Sequence, residues 1–130
     1  MKYLILAVSA ILFAVGPTWA GSLTEPQINA VNSAELYLST GGFSRSGLIQ
    51  QLSSALGDGY NITDATKAVD SLHIDWEKQA VRSAKDDLTT LGFSCQGLID
   101  QLSASVGAGL GTGYTVSQAT YGAQQAGACQ

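Results

Sequence analysis

The sequence predicts an all-α protein built as a tandem repeat of two small three-helix modules, which are joined by a short linker. The segment GFSRSGLIQQLS at residues 42–53 returns as GFSCQGLIDQLS at residues 92–103. Aligning residues 27–58 with residues 77–108 gives sixteen identities in thirty-two positions. Apolar identities recur at three- to four-residue intervals, the spacing of a helix face, so both copies are expected to share one fold.

The N-terminal segment has the pattern of a secretory signal peptide. Lys2 precedes an apolar run from Leu4 to Val15, and small residues flank Trp19 just before Gly21. The run is shorter than the roughly twenty apolar residues that span a bilayer, although an uncleaved membrane anchor remains an alternative. No cysteine follows the run directly. We therefore expect an exported chain, secreted or associated with the cell envelope, whose sequence encodes no lipid anchor.

We place the signal peptide at residues 1–20, the first three-helix module at residues 21–73, and the second module with a C-terminal tail at residues 74–130. Without the signal peptide the chain has five lysines and arginines against ten acidic residues, a net charge of minus five. The modules have helix-turn-helix proportions, but DNA-binding proteins need several basic side chains to neutralise phosphates. The charge therefore argues against a nucleic-acid partner.

Each module is predicted to contain three short helices. In the first module we expect a helix at residues 25–39, a second helix capped by Ser44 and a third capped by Thr63. In the second module the corresponding caps are Ser94 and Ser117. The inward side chains of the first module are expected to be Ile28, Val31, Ala34, Leu38, Leu48, Ile49, Leu52, Leu56, Ala65, Val69 and Leu72.

Three features are repeated or inserted around the second helix of each module. Phe43 and Phe93 are expected to be the largest buried side chains of their modules. Gly47 and Gly97 fall in the first turn of a helix, where glycine is unfavourable, and we interpret them as points of close approach by a neighbouring helix. After Gly107 the second copy gains four residues, which places the insertion in a loop.

The linker contains large apolar residues and a group of carboxylates. Ile74 and Trp76 are interpreted as packing at the seam between the modules, with an exposed binding patch as the alternative. Asp70, Asp75 and Glu77 carry the hard oxygen ligands that calcium prefers. Calcium at the linker is one interpretation, and ordinary surface charge with Asp75 capping the next helix is the other.

The two cysteines of the chain are expected to form a disulfide, because an exported protein meets an oxidising environment. Cys95 begins a predicted helix and Cys129 lies next to the C-terminus. The bridge would tie the C-terminal tail to the second module, although free thiols remain the alternative.

Catalytic motifs are missing from the sequence, so we expect no enzyme and no cofactor. His73 is the one histidine of the chain, and it has no nucleophile motif beside it. Ser44 and Ser94 are better explained as helix caps than as nucleophiles.

Four segments of the chain together resemble the Ltp family of phage- and prophage-encoded host cell surface-exposed lipoproteins. They are AELYLSTGGFSRSGLIQQL, AVDSLHIDWEKQA, DLTTLGFSCQGLIDQL and GYTVSQATYGA, and the resemblance runs from about Ala30 to Ala123. It implies superinfection exclusion, in which a prophage product outside the membrane stops a second phage from injecting its DNA. It also implies a protein partner, such as the tape measure protein of the incoming phage.

This sequence departs from the family pattern in two ways. The lipobox cysteine is missing, so retention at the membrane would need an uncleaved signal segment or an envelope partner. The second module has Asp86-Asp87 where the first has Leu36-Tyr37. An envelope interaction or adhesion module unrelated to phage exclusion remains the alternative function.

Exposed aromatic and charged side chains are the natural candidates for contact with a protein partner. Tyr60 and Tyr114 occupy equivalent positions, and they are equally well explained as core residues. The candidate contact residues are Tyr37, Arg45, Tyr60, Trp76 and Tyr114.

Overall fold

The computed structural model describes residues 22–107 and 111–130, and it contains six helices and no strand within those ranges. The first three helices pack on one another, as do the last three. This arrangement confirms the predicted all-α fold with two tandem modules, while the predicted signal peptide lies outside the described residues. The helices are α1 (Glu25–Thr40), α2 (Arg45–Ser53), α3 (Ile62–Ser71), α4 (Trp76–Thr90), α5 (Cys95–Ser103) and α6 (Val116–Gln125).

Serine caps begin the middle helix of each module, as predicted. The Ser44 Oγ accepts a hydrogen bond from the Gly47 amide, and the Ser94 Oγ accepts one from the Gly97 amide. A Cβ at either glycine would lie within 3 Å of the cap hydroxyl. The prediction of a closely approaching helix was therefore wrong, since the crowding comes from each module's own cap.

The predicted caps of the last helices were also wrong, by two residues in each module. The Asn61 side chain accepts a hydrogen bond from the Thr63 amide, which places Thr63 inside α3. Thr115 caps α6 and forms a capping box with Gln118, so Ser117 also lies inside its helix. Both true caps can accept hydrogen bonds from free N–H groups at the helix start, and both precede an exposed aliphatic residue.

Each module has its own hydrophobic core. The fully buried leucines stand at equivalent positions, with Leu48 and Leu52 in the first module and Leu98 and Leu102 in the second. Leu56, predicted to face inward, is fully exposed because α2 ends at Ser53. Among the described residues, the largest fully buried side chains are thus leucines on the middle helices.

The two phenylalanines that recur in the repeats are not the largest buried side chains that the sequence predicted. Phe43 and Phe93 are only partly buried, and each packs on the edge of its module's core. Both precede a helix cap, so their rings lie beside the turn that joins two helices. They are therefore available to line a surface between the modules.

A tyrosine–serine hydrogen bond recurs in both modules. The Tyr60 hydroxyl lies 3.2 Å from the Ser33 Oγ, and the Tyr114 hydroxyl lies 2.8 Å from the Ser83 Oγ. Burial raises the pKa of Tyr114 to about 12, which keeps its hydroxyl protonated as a hydrogen-bonding group. Each bond links the first helix of a module to the loop before its last helix.

The predicted disulfide is present between Cys95 and Cys129, which are 34 positions apart. Cys95 is the first residue of α5, and both cysteines pack against the core of the second module. The bridge therefore holds the C-terminal tail against this module.

The linker joins the modules by packing, as interpreted from the sequence. Trp76 is the first residue of α4, yet it packs with Ile74 against the core of the first module. The Arg82 guanidinium, also on α4, donates a 2.8 Å hydrogen bond to the carbonyl of Leu38 in the first module. The first turns of α4 therefore contact both modules.

The glycine-rich insertion forms a second connection between the modules. The Ser44 Oγ donates to the Thr112 carbonyl at 2.6 Å, and the Ser46 Oγ donates to the Gly113 carbonyl at 2.9 Å. Gly113 has a φ of 92°, a left-handed conformation that favours glycine. The loop before α6 thus reaches the start of α2 through Thr112 and Gly113.

Candidate partner-binding cleft between the modules

Three of the five predicted contact residues pack on the hydrophobic core of the first module. Tyr37, Tyr60 and Trp76 are all partly buried there. The Tyr37 hydroxyl donates a 2.9 Å hydrogen bond to the Asp58 carboxylate, and its ring lies 5.9 Å from the ring of Phe43. These aromatic side chains support the first module, and only their exposed edges remain for contact with a partner.

Arg45 is exposed but engaged in an ion pair. Its Nε lies 2.8 Å from the Asp70 Oδ1, and a second hydrogen bond from its Nη2 makes the contact bidentate. The hydrogen bonds from Arg45 lower the pKa of Asp70. Because both side chains are about half exposed, the pair contributes little stability and remains accessible.

Tyr114 is not a contact residue in this structure. Its side chain is only 3% exposed and belongs to the second core. The interpretation as a core residue is the correct one for this position, and the candidate contact role was wrong. Its equivalent, Tyr60, is less buried and keeps one edge at the surface.

The linker carboxylates do not gather into a metal site. Asp70 is paired with Arg45, and the Asp75 side chain caps α4 by accepting a hydrogen bond from the Lys78 amide. Glu77 is exposed in the first turn of that helix. Across the described ranges, no group of three or more His, Cys, Asp or Glu side chains is arranged to hold a metal ion. Calcium binding at the linker stays an untested prediction.

A cleft of about 550 Å³ lies between the modules. One side is the turn after α1 of the first module, and the other is the C-terminal half of α4 with the turn that follows it. The cleft is lined by Thr40, Gly41, Gly42, Phe43, Ser83, Asp86, Asp87, Thr90, Leu91, Phe93, Gln101 and Gly111. Residues from both modules therefore meet at this accessible surface.

The turn of the first module approaches α4 closely enough to require glycine. A Cβ at Gly42 would lie 2.6 Å from the Ser83 Oγ and 2.8 Å from the Gln79 carbonyl oxygen. The Phe43 amide, next in the chain, donates a 3.3 Å hydrogen bond to the Gln79 side chain. This contact positions the Phe43 ring at the cleft.

The two modules differ at a position that borders the cleft. In the first module, Tyr37 packs against Phe43 and its hydroxyl accepts a 3.3 Å hydrogen bond from Gln51. The offset of fifty residues places Asp87, Phe93 and Gln101 at the corresponding positions in the second module. An aspartate is much smaller than a tyrosine, so the space that the ring would fill remains open.

Among the described residues, Asp87 has no compensating partner for its charge. Its Oδ2 is buried and accepts no hydrogen bond in the described part of the chain. Burial raises the pKa of Asp87, and the neighbouring charge of Asp86 raises it further. Among the described residues, neither aspartate forms an ion pair with a lysine or arginine. The cleft therefore combines aromatic walls with a local excess of negative charge.

The cleft is not among the sites predicted from the sequence, although the sequence carries one signal of it. The replacement of Leu36-Tyr37 by Asp86-Asp87 was noticed as a difference between the copies, without a structural consequence. Phe43 and Phe93 were assigned to the cores. An alignment of the repeats that compared side-chain volumes position by position would have indicated a missing ring beside Phe93.

None of the described helices is long and apolar enough to cross a membrane. The two three-helix modules define a class: small all-helical tandem-repeat proteins.

The chain belongs to the host cell surface-exposed lipoprotein family, Ltp, whose model matches residues 26–72 and 75–125. The two matched segments correspond to the two modules.

A solved structure has a similar fold. It is that of Ltp, a superinfection exclusion protein from the Streptococcus thermophilus temperate phage TP-J34. The two chains are 30% identical and superpose with a TM-score of 0.68, over 79% of this chain and 97% of the phage protein. No curated protein sequence matches the chain. Family and fold are thus established by agreement between sequence and structure.

Proposed function

We propose that this chain is a cell-surface superinfection exclusion protein, which binds a protein partner and thereby prevents an incoming phage from delivering its DNA. The observation that carries the proposal is the match to Ltp, a superinfection exclusion protein, over 97% of that chain. The family description, host cell surface-exposed lipoprotein, supports display outside the cytoplasmic membrane.

A binding role is supported by the chemistry of the cleft. Its walls are aromatic and acidic, and its lining contains no histidine or cysteine. The hydroxyl of Ser83 is already hydrogen-bonded to Tyr114. Aromatic side chains at the centre of a surface with polar groups around them are typical of protein-binding sites. The proposed partner is a protein of the incoming phage, with its tape measure protein as the first candidate and an envelope component as the second.

The proposal is tested by expressing the full chain in a phage-sensitive host and challenging the cells with a panel of phages. Adsorption is measured by counting free phage, and DNA entry is measured separately by quantifying phage DNA inside washed cells. We expect normal adsorption with reduced DNA entry for at least one phage.

The matched control is the double variant Leu52→Asp/Leu102→Asp, because a carboxylate at either fully buried position prevents its core from packing. This variant is expected to give no exclusion. Unchanged plating of every phage, with the chain detected at the cell surface, would contradict the proposed function. Reduced adsorption with normal DNA entry per adsorbed phage would contradict the proposed mechanism.

Surface display is tested on intact cells by adding protease to the medium. Digestion of the chain in intact cells, with a cytoplasmic marker left intact, is the expected result. Protection of the chain until the cells are lysed would contradict display outside the membrane.

A further inference from the structure

We propose that the cleft between the modules receives a lysine or arginine side chain of the protein partner. The aliphatic stem of that side chain packs against the phenylalanine rings, and its charged end lies at Asp86 and Asp87. The inference deepens the proposed function, and it rests on that function in taking the partner to be a protein.

The size of the cleft fits a side chain presented by a polypeptide. A volume of about 550 Å³ exceeds that of one long side chain and leaves room for part of the segment that carries it. Leu91, which is 62% exposed, stands beside the opening and offers an apolar contact to such a segment. A partner segment with a basic residue next to an apolar one matches this arrangement.

The two carboxylates of the cleft favour an occupant with a positive charge. Asp86 and Asp87 are adjacent in sequence, both line the cleft, and neither is neutralised by a described lysine or arginine. The nearby Arg82 uses its guanidinium to bind the Leu38 carbonyl and the Gln79 side chain. An acidic or purely apolar occupant would increase the desolvation of these carboxylates without compensation, whereas a cation offsets it.

The aromatic walls select a basic side chain over a small inorganic cation. Phe43 comes from the first module and Phe93 from the second, and both line the cleft. Lysine and arginine carry long apolar stems that cover hydrophobic surface while their ends remain polar. A cation placed over an aromatic face gains a further attraction. A second copy of this acidic chain is a poorer occupant, since its net negative charge opposes the cleft.

The experiment uses three short peptides that differ at one position. Each peptide has a central residue between two leucines, and that residue is lysine, glutamate or norleucine. The isotope-labelled full chain is titrated with each peptide at 0.15 M salt, and its backbone amide signals are followed by NMR. We expect the lysine peptide alone to shift the signals of residues 41–43 and 86–93.

Three single-residue variants test the role of the charges. Asp87→Asn and Asp86→Asn each remove one charge at the cleft without changing side-chain size, and each should weaken binding of the lysine peptide about fivefold. Glu35→Gln removes one charge from an exposed position on α1 outside the cleft lining, and it should leave binding unchanged. Amide signals that stay dispersed show that each variant is folded.

The proposal is overturned by shifts spread over the acidic surface, by equal weakening in the Glu35→Gln control, or by equal binding of the norleucine peptide. The same variants are then placed in the phage challenge. If the wild-type chain excludes phage and Asp86→Asn/Asp87→Asn excludes equally well, the cleft inference fails while the proposed function stands. If the wild-type chain excludes no phage, the proposed function fails. The peptide titration then still tests whether the cleft binds a basic side chain.

Discussion

The hydroxyl of Ser44 donates a 2.6 Å hydrogen bond to the main-chain carbonyl of Thr112, a residue of the other module. The same oxygen accepts a hydrogen bond from the Gly47 amide, so one buried side chain both caps α2 and connects the modules. Its equivalent, Ser94, caps α5 in the same way but is exposed. The chain therefore contains a matched pair of caps, of which Ser44 alone also forms a hydrogen bond to the other module.

We expect Ser44→Ala to destabilise the protein more than Ser94→Ala. Loss of a serine cap costs about 1 kcal/mol in each case. At Ser44, loss of the bond to Thr112 adds about 1 kcal/mol, because the hydroxyl is buried. Urea unfolding followed by circular dichroism measures both values. Equal losses for the two variants would show that the bond between the modules adds no stability.

Leu52→Ala and Leu56→Ala should have opposite outcomes although the two leucines are only four residues apart. Leu52 is fully buried, so its truncation should lower the free energy of unfolding by about 2 to 5 kcal/mol. Leu56 is fully exposed, so its truncation should change that value by less than about 0.5 kcal/mol. Thermal melts of the two variants provide the measurement. A large effect at Leu56 would mean that α2 extends beyond Ser53.

Removal of the disulfide should destabilise the second module by roughly 3 to 4 kcal/mol, the entropic effect of opening a loop with a sequence separation of 34. The variant is Cys95→Ser/Cys129→Ser, and the unmodified chain in reductant is its control. Hydrogen exchange measured by NMR should show faster exchange in α5 and α6, with α1 to α3 little changed. Uniformly faster exchange in all six helices would indicate that the modules unfold as one unit.

Asp87→Asn should raise the melting temperature at neutral pH. Burial raises the pKa of this carboxyl above its usual value of 3.8, so the folded state binds the proton more tightly than the unfolded state. The free energy of unfolding therefore falls as the pH rises from the pKa of Asp87 in the unfolded state to its higher pKa in the folded state. It stays lower at higher pH.

An uncharged asparagine avoids that loss. Melts from pH 3 to pH 7 should show a gain for Asp87→Asn at pH 7 that disappears below the unfolded pKa. Asp100→Asn, which removes one carboxylate at an exposed position on α5, is the control for the change in net charge. A gain that is constant over the whole pH range would exclude titration of Asp87 as the cause.

The fold could be predicted from the sequence because the duplication repeats its main determinants. The leucines of the middle helices and the serine caps recur at an offset of fifty residues, and each is placed by local periodicity or local hydrogen bonding. The disulfide was also predictable, since the chain has only two cysteines. The caps of α3 and α6 were misplaced because asparagine, serine and threonine are all favoured caps, and two of them stand two positions apart at each helix start.

The cleft could not be predicted because it depends on contacts between modules rather than within them. No periodicity encodes the approach of Gly42 to α4 or the hydrogen bonds from Ser44 and Ser46 to the inserted loop. Phe43 and Phe93 were misassigned for the same reason, since a large apolar side chain is usually buried. Only the arrangement of the two modules shows that these rings border an open space.

The tyrosine–serine bond found in both modules is part of the architecture that the duplicated copies share, whereas position 37 and its counterpart 87 differ in side-chain size and charge. A chimera that carries Leu36-Tyr37 in both halves would preserve the scaffold and remove that difference. Under the proposed function, comparing the range of phages that it excludes with the range excluded by the natural chain would measure how much this difference contributes to recognition.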